Sequence, residues 1–369
     1  MKFIYEMQLF LLNLQNFMFE VTTENAHTFH SFIRDSRHIV AVTHMHPDGD
    51  AIGCCMALRS FLLECYGKEA DVILPDPVPS PLSFLTDGCP VCDGASESNL
   101  RTILDADLIV ALDINSFKRT GALEEPLRES KATKVLIDHH PDPGTDEFDL
   151  IFSRTDISSA CEHLYQVLMR MPCTGSDAKK LPGECAMALM AGMTTDTNNF
   201  ANSVFPSTFN MASELIAAGV DRDGLIQSIY NSGREEKVRG WSRLLDRNLK
   251  LMDCGVAYMV LDRETRDSLG LLEGETDGLV NIPLQIGRIL VSALITEEDG
   301  FFRISLRSKK CLSINTLARE SFHGGGHPQA SGGRIFIPDD LTDRSGIAAY
   351  FEHKAARFMQ DWKAAGTSV

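Results

Sequence analysis

The sequence predicts an α/β protein: a larger domain with a mostly parallel sheet flanked by helices, then a smaller α/β C-terminal domain with a mixed sheet. Three observations carry that expectation. The chain has 369 residues, about twice the usual size of one domain. Its first half alternates short β-branched or apolar runs with helical stretches, the pattern of a parallel sheet covered on both faces. Its charge is uneven: residues 1–239 hold 19 basic and 34 acidic groups, whereas residues 240–369 hold 16 and 17. An acidic part joined to a near-neutral part fits two domains with different tasks.

The aliphatic runs Ile-Val-Ala-Val-Thr (39–43), Ala-Asp-Val-Ile-Leu (70–74), Leu-Ile-Val-Ala-Leu-Asp (108–113), Lys-Val-Leu-Ile-Asp (134–138) and Asp-Leu-Ile-Phe (149–152) read as strands. Helices are expected over 50–64, 158–169, 184–193 and 207–218. The stretch 219–233 is taken as a hinge, and a helix from 234 to about 251 as the bridge to the second part. Strands at 255–261, 288–295 and 301–306 and helices at 313–320 and 347–362 complete the reading. The resulting division is 20–230 for the first domain, 231–250 for a linker helix and 251–369 for the second.

Hydrophobic residues make up 44% and charged residues 23%, which excludes collagen-like, disordered and disulfide-scaffold proteins. A net charge of -16 argues against long duplex nucleic acid, whose binding needs many basic groups, but not against a small phosphate ligand. The ten cysteines are scattered and two are adjacent, Cys54 and Cys55, which reads as a reducing, cytoplasmic setting. Cys89 and Cys92 form one close pair with no second pair to complete a zinc site. The apolar N-terminal run around Leu9–Leu14 is too short and interrupted for a membrane span and reads as an amphipathic helix.

The chemistry-bearing residues follow strands. His44-Met-His46-Pro-Asp48-Gly-Asp50 comes directly after the first strand, Asp113 ends another, and Asp138-His139-His140 ends a third. Parallel strands bring their carboxyl ends to one rim. Several carboxylates there repel one another unless cations neutralise them, so bound metal is expected. His and Asp without thiolate suit manganese, magnesium or zinc, and so many carboxylates favour two ions over one. Asp50 also fits the N-cap of the helix that follows.

The runs Thr43-His44-Met-His-Pro-Asp48-Gly-Asp50-Ala-Ile-Gly53, Leu-Asp113, Ile-Asp138-His139-His140 and Gly192-Met-Thr-Thr-Asp196-Thr resemble, in order and spacing, the four motifs of the DHH phosphoesterase superfamily. Gly324-Gly325-Gly326-His327, with Ile304-Ser-Leu-Arg307-Ser308 before it, resembles the DHH-associated C-terminal domain. The resemblance implies two Mn2+ ions, with Mg2+ or Co2+ as substitutes. One would be held by His44, Asp48 and Asp113, the other by Asp50, Asp113, His139 and Asp196. It further implies that His140 faces the substrate phosphate, that Asp138 fixes the histidines, and that Arg307, Ser308, Gly324, Gly325, Gly326 and His327 bind substrate. Two departures stand out. His323 replaces a glycine common before the triplet, and Asn198 replaces a glycine common after Thr197. His46 is extra and is read as a neighbour.

By that resemblance, the expected activity is hydrolysis of short oligoribonucleotides, linear dinucleotides or 3′-phosphoadenosine 5′-phosphate by metal-activated water, as in the short bifunctional oligoribonuclease and phosphatase type. The second domain would select substrate across a cleft. The positive charge for a polyanion is expected from Arg307, Lys309 and Lys310, since the first domain is so acidic. An exopolyphosphatase or pyrophosphatase-like enzyme and a non-enzymatic nucleotide sensor are the alternatives. Partners are expected to be such a substrate and a second copy in a homodimer, with no membrane.

Overall fold

The computed structural model describes residues 21–272 and 274–366, and the chain divides into two compact units at Ser232 and Gly233. The N-terminal run read as an amphipathic helix lies outside the described residues. Among the described residues no helix is long and apolar enough to cross a membrane.

The first unit contains α1 (Thr23–Asp35), β1 (Ile39–Val42), α2 (Gly49–Tyr66), β2 (Ala70–Leu74), β3 (Val91–Asp93), α3 (Glu97–Leu104), β4 (Leu108–Leu112), α4 (Glu124–Glu129), β5 (Thr133–Asp138), β6 (Leu150–Ser153), α5 (Ala160–Met169), α6 (Gly183–Asp196), α7 (Pro206–Ala217) and α8 (Arg222–Tyr230). Its six-stranded sheet has the order β3-β2-β1-β4-β5-β6, with every pairing parallel. Successive side chains of a strand point to opposite faces. Accordingly Ile39 and Ala41 enter one core while Val40 and Val42 enter the other. That two-sided burial is why β1 and β4 are unbroken aliphatic runs.

The strand order reverses between β1 and β4, and at such a switch point an α/β sheet opens a crevice at its carboxyl edge. Val42 lies opposite Ala111 and Leu112 opposite Ile137, so the residues just past β1, β4 and β5 emerge side by side.

Helix α2 is apolar nearly all round because it is buried nearly all round. It is capped by Asp48, whose carboxylate accepts from Asp50 N and Ala51 N, and it stops at Gly67 in the left-handed region. The cap is therefore Asp48; Asp50, read above as an alternative cap, sits inside the first turn. Helix α2 crosses α6 glycine to glycine. A Cβ on Gly53 would lie 2.8 Å from Ala188 O, and one on Gly192 would lie 2.3 Å from Cys161 Sγ and 2.9 Å from Asp50 Oδ1.

The second unit contains α9 (Glu235–Arg247), β7 (Lys250–Leu251), β8 (Val256–Leu261), α10 (Arg263–Leu269), β9 (Val291–Glu297), β10 (Phe301–Ser308), α11 (Asn315–Ser321), β11 (Gly325–Gly326), β12 (Ala330–Phe336) and α12 (Ile347–Ala364). Its sheet, β11-β12-β10-β9-β8-β7, is mixed: β8 and β9 are parallel and the other pairs antiparallel. Phe351, Ala355 and Met359 of α12 enter its core at helical spacing.

Strands β3 and β12 were not expected, and two of the segments that were read differ. The stretch 219–233 taken as a hinge is mostly α8, capped by Asp221. The helix expected to reach residue 251 ends at Arg247. It packs into the second unit, with Leu244 buried beside Met259 and Leu279 and Trp241 Nε1 donating to Glu275 O at 2.7 Å.

The α2–α6 crossing makes a prediction. Gly192→Ala inserts a methyl where no room exists, and overpacking of this kind costs ~1–3 kcal/mol. Thermal denaturation should show a fall of several degrees, at ~2–4 °C per kcal/mol for a unit of this size. Gly183→Ala, with nothing within 4 Å of its Cβ, should show no loss.

Candidate metal centre

Each group on the rim is placed by a local rule. His44 follows β1 and is 7% exposed. Its Nδ1 lies 2.8 Å from Met45 O, a carbonyl that accepts its N–H and leaves Nε2 facing inward. Asp113 leaves β4 with its N–H still bonded to Ile137 O, then turns in the left-handed region at φ 56. Asp tolerates that conformation better than most side chains. Asp50 is 1% exposed, and its carboxylate accepts from Ala160 N at 2.7 Å and Cys161 N at 3.0 Å. Those are the first amides of α5, a ready-made anion seat. Asp196 ends α6 and is brought in by the glycine crossing just described.

These side chains form two sets joined by one residue. His44 Nε2 lies 3.3 Å from Asp113 Oδ2 and 4.0 Å from Asp48 Oδ1. His139 Nε2 lies 3.4 Å from Asp113 Oδ1, 3.9 Å from Asp50 Oδ2 and 3.8 Å from Asp196 Oδ2. The two oxygens of Asp113 thus face different imidazoles. His44, Asp48 and Asp113 converge as one potential ligand group, and Asp50, Asp113 and His139 as another. Asp113 Oδ1 is buried with no hydrogen-bond partner. A buried carboxylate oxygen in that state calls for a cation. The donor set, all imidazole and carboxylate, fits a divalent ion.

The electrostatics of the protein groups alone show the same demand. Burial, then the charges of Asp113 and Asp196, hold the Asp50 carboxyl well above the ordinary range. Burial pulls His139 down, but the facing Asp113 carboxylate and the charge of Asp196 outweigh it and raise it to about 10. Burial opposes ionisation of Asp113 too, yet the facing imidazoles of His139 and His44 bring it well below the usual carboxylate range. The raised His139 and the raised Asp50 carboxyl both lower the negative charge of the cluster, as a cation can.

Asp138 is fully buried. Its Oδ2 accepts from His140 N at 3.0 Å, and its Oδ1 lies 2.8 Å from His140 Nδ1. It orients His140 directly, while its carbonyl lies 3.0 Å from Nδ1 of a third buried histidine, His163. His46 is exposed at φ 54, its amide bonded to Asp76. The loop after Asp196 runs through left-handed Asn198, Asn199 and Phe200.

One group at the rim was not singled out in the sequence. Arg119 lies on a 3-10 turn, Phe117–Leu123, six positions past Asp113. Its Nη1 is 3.1 Å from His140 Nε2 and 3.4 Å from Asp113 O. A basic residue in the loop after a strand that ends in Asp, at the switch point, was the available signal.

In the second unit, Arg307 lies opposite Ala330 in the β10–β12 register, and His327 bonds to Ala330 through both backbone groups. The sheet therefore brings Arg307 and the glycine turn to one end. The glycine run enters a short strand. Gly325 and Gly326 form β11 against Gly332 and Ser331, and a Cβ on Gly324 would lie 1.9 Å from Gly332 O. His323 takes φ 46, the conformation a glycine would supply, with its ring bonded to Asp340. Ser308 is buried and spends its hydroxyl proton on Leu312 O. Lys309 is engaged by the carbonyls of Ile286 and Gly287, and Lys310 is exposed.

Fold and site together define a metal-dependent α/β hydrolase. Residues 38–193 match the DHH family, N-terminal domain, and residues 255–343 match the DHHA1 domain. The chain is 30% identical to the bifunctional oligoribonuclease and PAP phosphatase NrnA of Bacillus subtilis, over 82% of this chain and 90% of that one. It is 25% identical to the protein of the same name from Thermus thermophilus, over 80% and 84%. Among solved structures, an exopolyphosphatase-related protein from Bacteroides fragilis superposes with a TM-score of 0.84 at 30% identity, covering 93% of this chain and 99% of that one. The chain belongs to the DHH family and is a DHH phosphoesterase.

Two outcomes are expected here. Metal uptake must displace the proton that Asp113 and Asp196 favour on His139, so Mn2+ affinity should rise with pH below about 10 and release protons to the buffer. Calorimetry in buffers of different ionisation enthalpy reads this, and a pH-independent affinity contradicts it. Asp113→Asn keeps the left-handed turn but loses the shared charge. It should leave the melting temperature nearly unchanged and lower metal affinity by more than the ~10–100-fold typical of losing an outer-sphere partner.

Proposed function

We propose that this phosphoesterase hydrolyses short oligoribonucleotides, linear dinucleotides and 3′-phosphoadenosine 5′-phosphate, with two divalent ions, manganese first, sharing Asp113. The single observation that supports this most is the division of Asp113, one oxygen toward His44 and the other toward His139. Such a pair of ions supplies Lewis acidity and a low-pKa water for in-line displacement at phosphorus.

The chain's own residues have separate tasks. Asp48 and His44 define one ligand set; Asp50, His139 and Asp196 define the other. Asp138 locks the ring of His140 at the rim. In the second unit, Arg307 and His327 hold a terminal phosphate, the guanidinium giving bidentate recognition and the glycines allowing close approach. Ser308 acts by tying the turn at Leu312 and not by donating to substrate.

Similarity to the oligoribonuclease and PAP phosphatases of B. subtilis and T. thermophilus supports the same substrates. Similarity to the exopolyphosphatase-related protein of B. fragilis favours a second reading, hydrolysis of a phosphoanhydride chain.

A manganese-supplemented screen separates them. The expected result is mononucleotide from two- to five-nucleotide RNA and phosphate from bisphosphorylated adenosine; turnover of tripolyphosphate alone would replace this reading with the second. Arg307→Ala should raise KM for the dinucleotide about tenfold or more with a smaller change in kcat, and an unchanged KM removes Arg307 from the substrate site.

A further inference from the structure

We infer that Arg119 is a phosphate-binding residue of the catalytic rim, meeting the scissile phosphoryl group from within the first unit. This rests on the phosphoesterase reading above and adds a cation where the sequence offered none. The first argument is the state of its donors. A guanidinium carries five N–H groups and accepts nothing. Those on Nη1 point to His140 Nε2 and Asp113 O. The Nε and Nη2 groups have no acceptor among the described residues, and no carboxylate there pairs with Arg119. That edge is the one that grips phosphate bidentately. An arginine with no acidic partner in a part of the chain with 34 acidic and 19 basic residues is reserved for an anion that comes and goes.

The second argument is the wiring of His140. Asp138 lies 2.8 Å from its Nδ1 and takes that N–H, while Arg119, which can only donate, faces Nε2. In this arrangement Asp138 aims the ring of His140, and the ring anchors Nη1 of Arg119, so the rest of the guanidinium is held at the rim. The resemblance to the family assigns His140 to the phosphate; the geometry places the Arg119 guanidinium beside it as a further donor. Asp138, His140 and Arg119 form one chain in which each group aims the next.

The third argument is preorganisation. Glu147 holds the Arg119 turn by accepting from Phe117 N and Ser116 Oγ, both at 2.8 Å. Arg119 O accepts from Met45 N at 2.9 Å, which ties the turn to the His44 loop. Gly121 lies so close that a Cβ there would be 2.5 Å from Met45 Sδ. A donor fixed before substrate arrives costs little reorganisation in the transition state.

The test uses the full manganese-loaded chain, with Arg119→Gln, Arg119→Lys and Arg119→Ala beside the wild type. Manganese content and melting temperature come first, then affinity for inorganic phosphate by calorimetry, then kcat and KM on a linear dinucleotide. Arg119→Gln should retain manganese, bind phosphate ~10-fold or more weakly and lose ~100–1,000-fold in kcat/KM. Arg119→Lys should fall between the two. Free guanidinium should restore part of the turnover of Arg119→Ala, which a purely architectural role does not predict. Phosphate affinity within about twofold of wild type in Arg119→Gln overturns the assignment. So does a loss of manganese that accounts for the whole defect, since Arg119 would then only hold the ligands. A wild type that turns over no nucleotide, yet binds phosphate through Arg119, sinks the nucleotide reading and leaves this one standing.

Discussion

Asp50, Asp113 and Asp196 are driven toward one another at the carboxyl edge of a parallel sheet, and the repulsion among them is the constraint that shapes the first unit. Two of the three oppose burial strongly, and the helix amides on Asp50 and the imidazoles on Asp113 relieve the cost only in part. The unpaired buried oxygen of Asp113 is what remains. The backbone holds the carboxylates there regardless: through the left-handed turn at Asp113, the α5 amides at Asp50 and the glycine crossing that admits Asp196. Stability is lost at this rim so that a cation gains a site.

The same constraint explains where positive charge is kept. An acidic unit repels a polyanion unless fixed cations face it. Arg119 is held at the rim by a turn braced on Glu147 and on the His44 loop, not by an ion pair that would quench it. In the second unit Arg307 stands at the end of β10 beside the glycine turn, while Lys309 is absorbed by backbone carbonyls. Guanidinium, with its fixed fork, is the better choice where phosphate geometry matters.

How much of this was legible is clearest at particular residues. The strands could be read because burial on both faces demands unbroken aliphatic runs, as in β1 and β4. The six residues expected to hold metal could be proposed because each follows such a run or sits in a motif of the resembled family, and the structure brings them to one rim. Strand β12, Ala-Ser-Gly-Gly-Arg-Ile-Phe, could not, because its glycines serve the close approach of the His323–His327 turn and leave no alternating pattern. Helix α8 was taken for a hinge because Gly224 and a short apolar stripe give a weak helical signal. Arg119 carries only a weak signal, a basic residue in the loop after the strand that ends in Asp113.

The sequence by itself determined the α/β class, the two-part organisation and the residue types at the rim, because periodicity and motif order are local properties of the chain. Only the tertiary structure decided that Asp113 splits its two oxygens between His44 and His139, that Asp50 turns to the first amides of α5, and that Arg119 reaches His140. Those facts depend on strand register and on the packing of α2 against α6, which join residues far apart in the chain, and no pairwise spacing in the sequence encodes them.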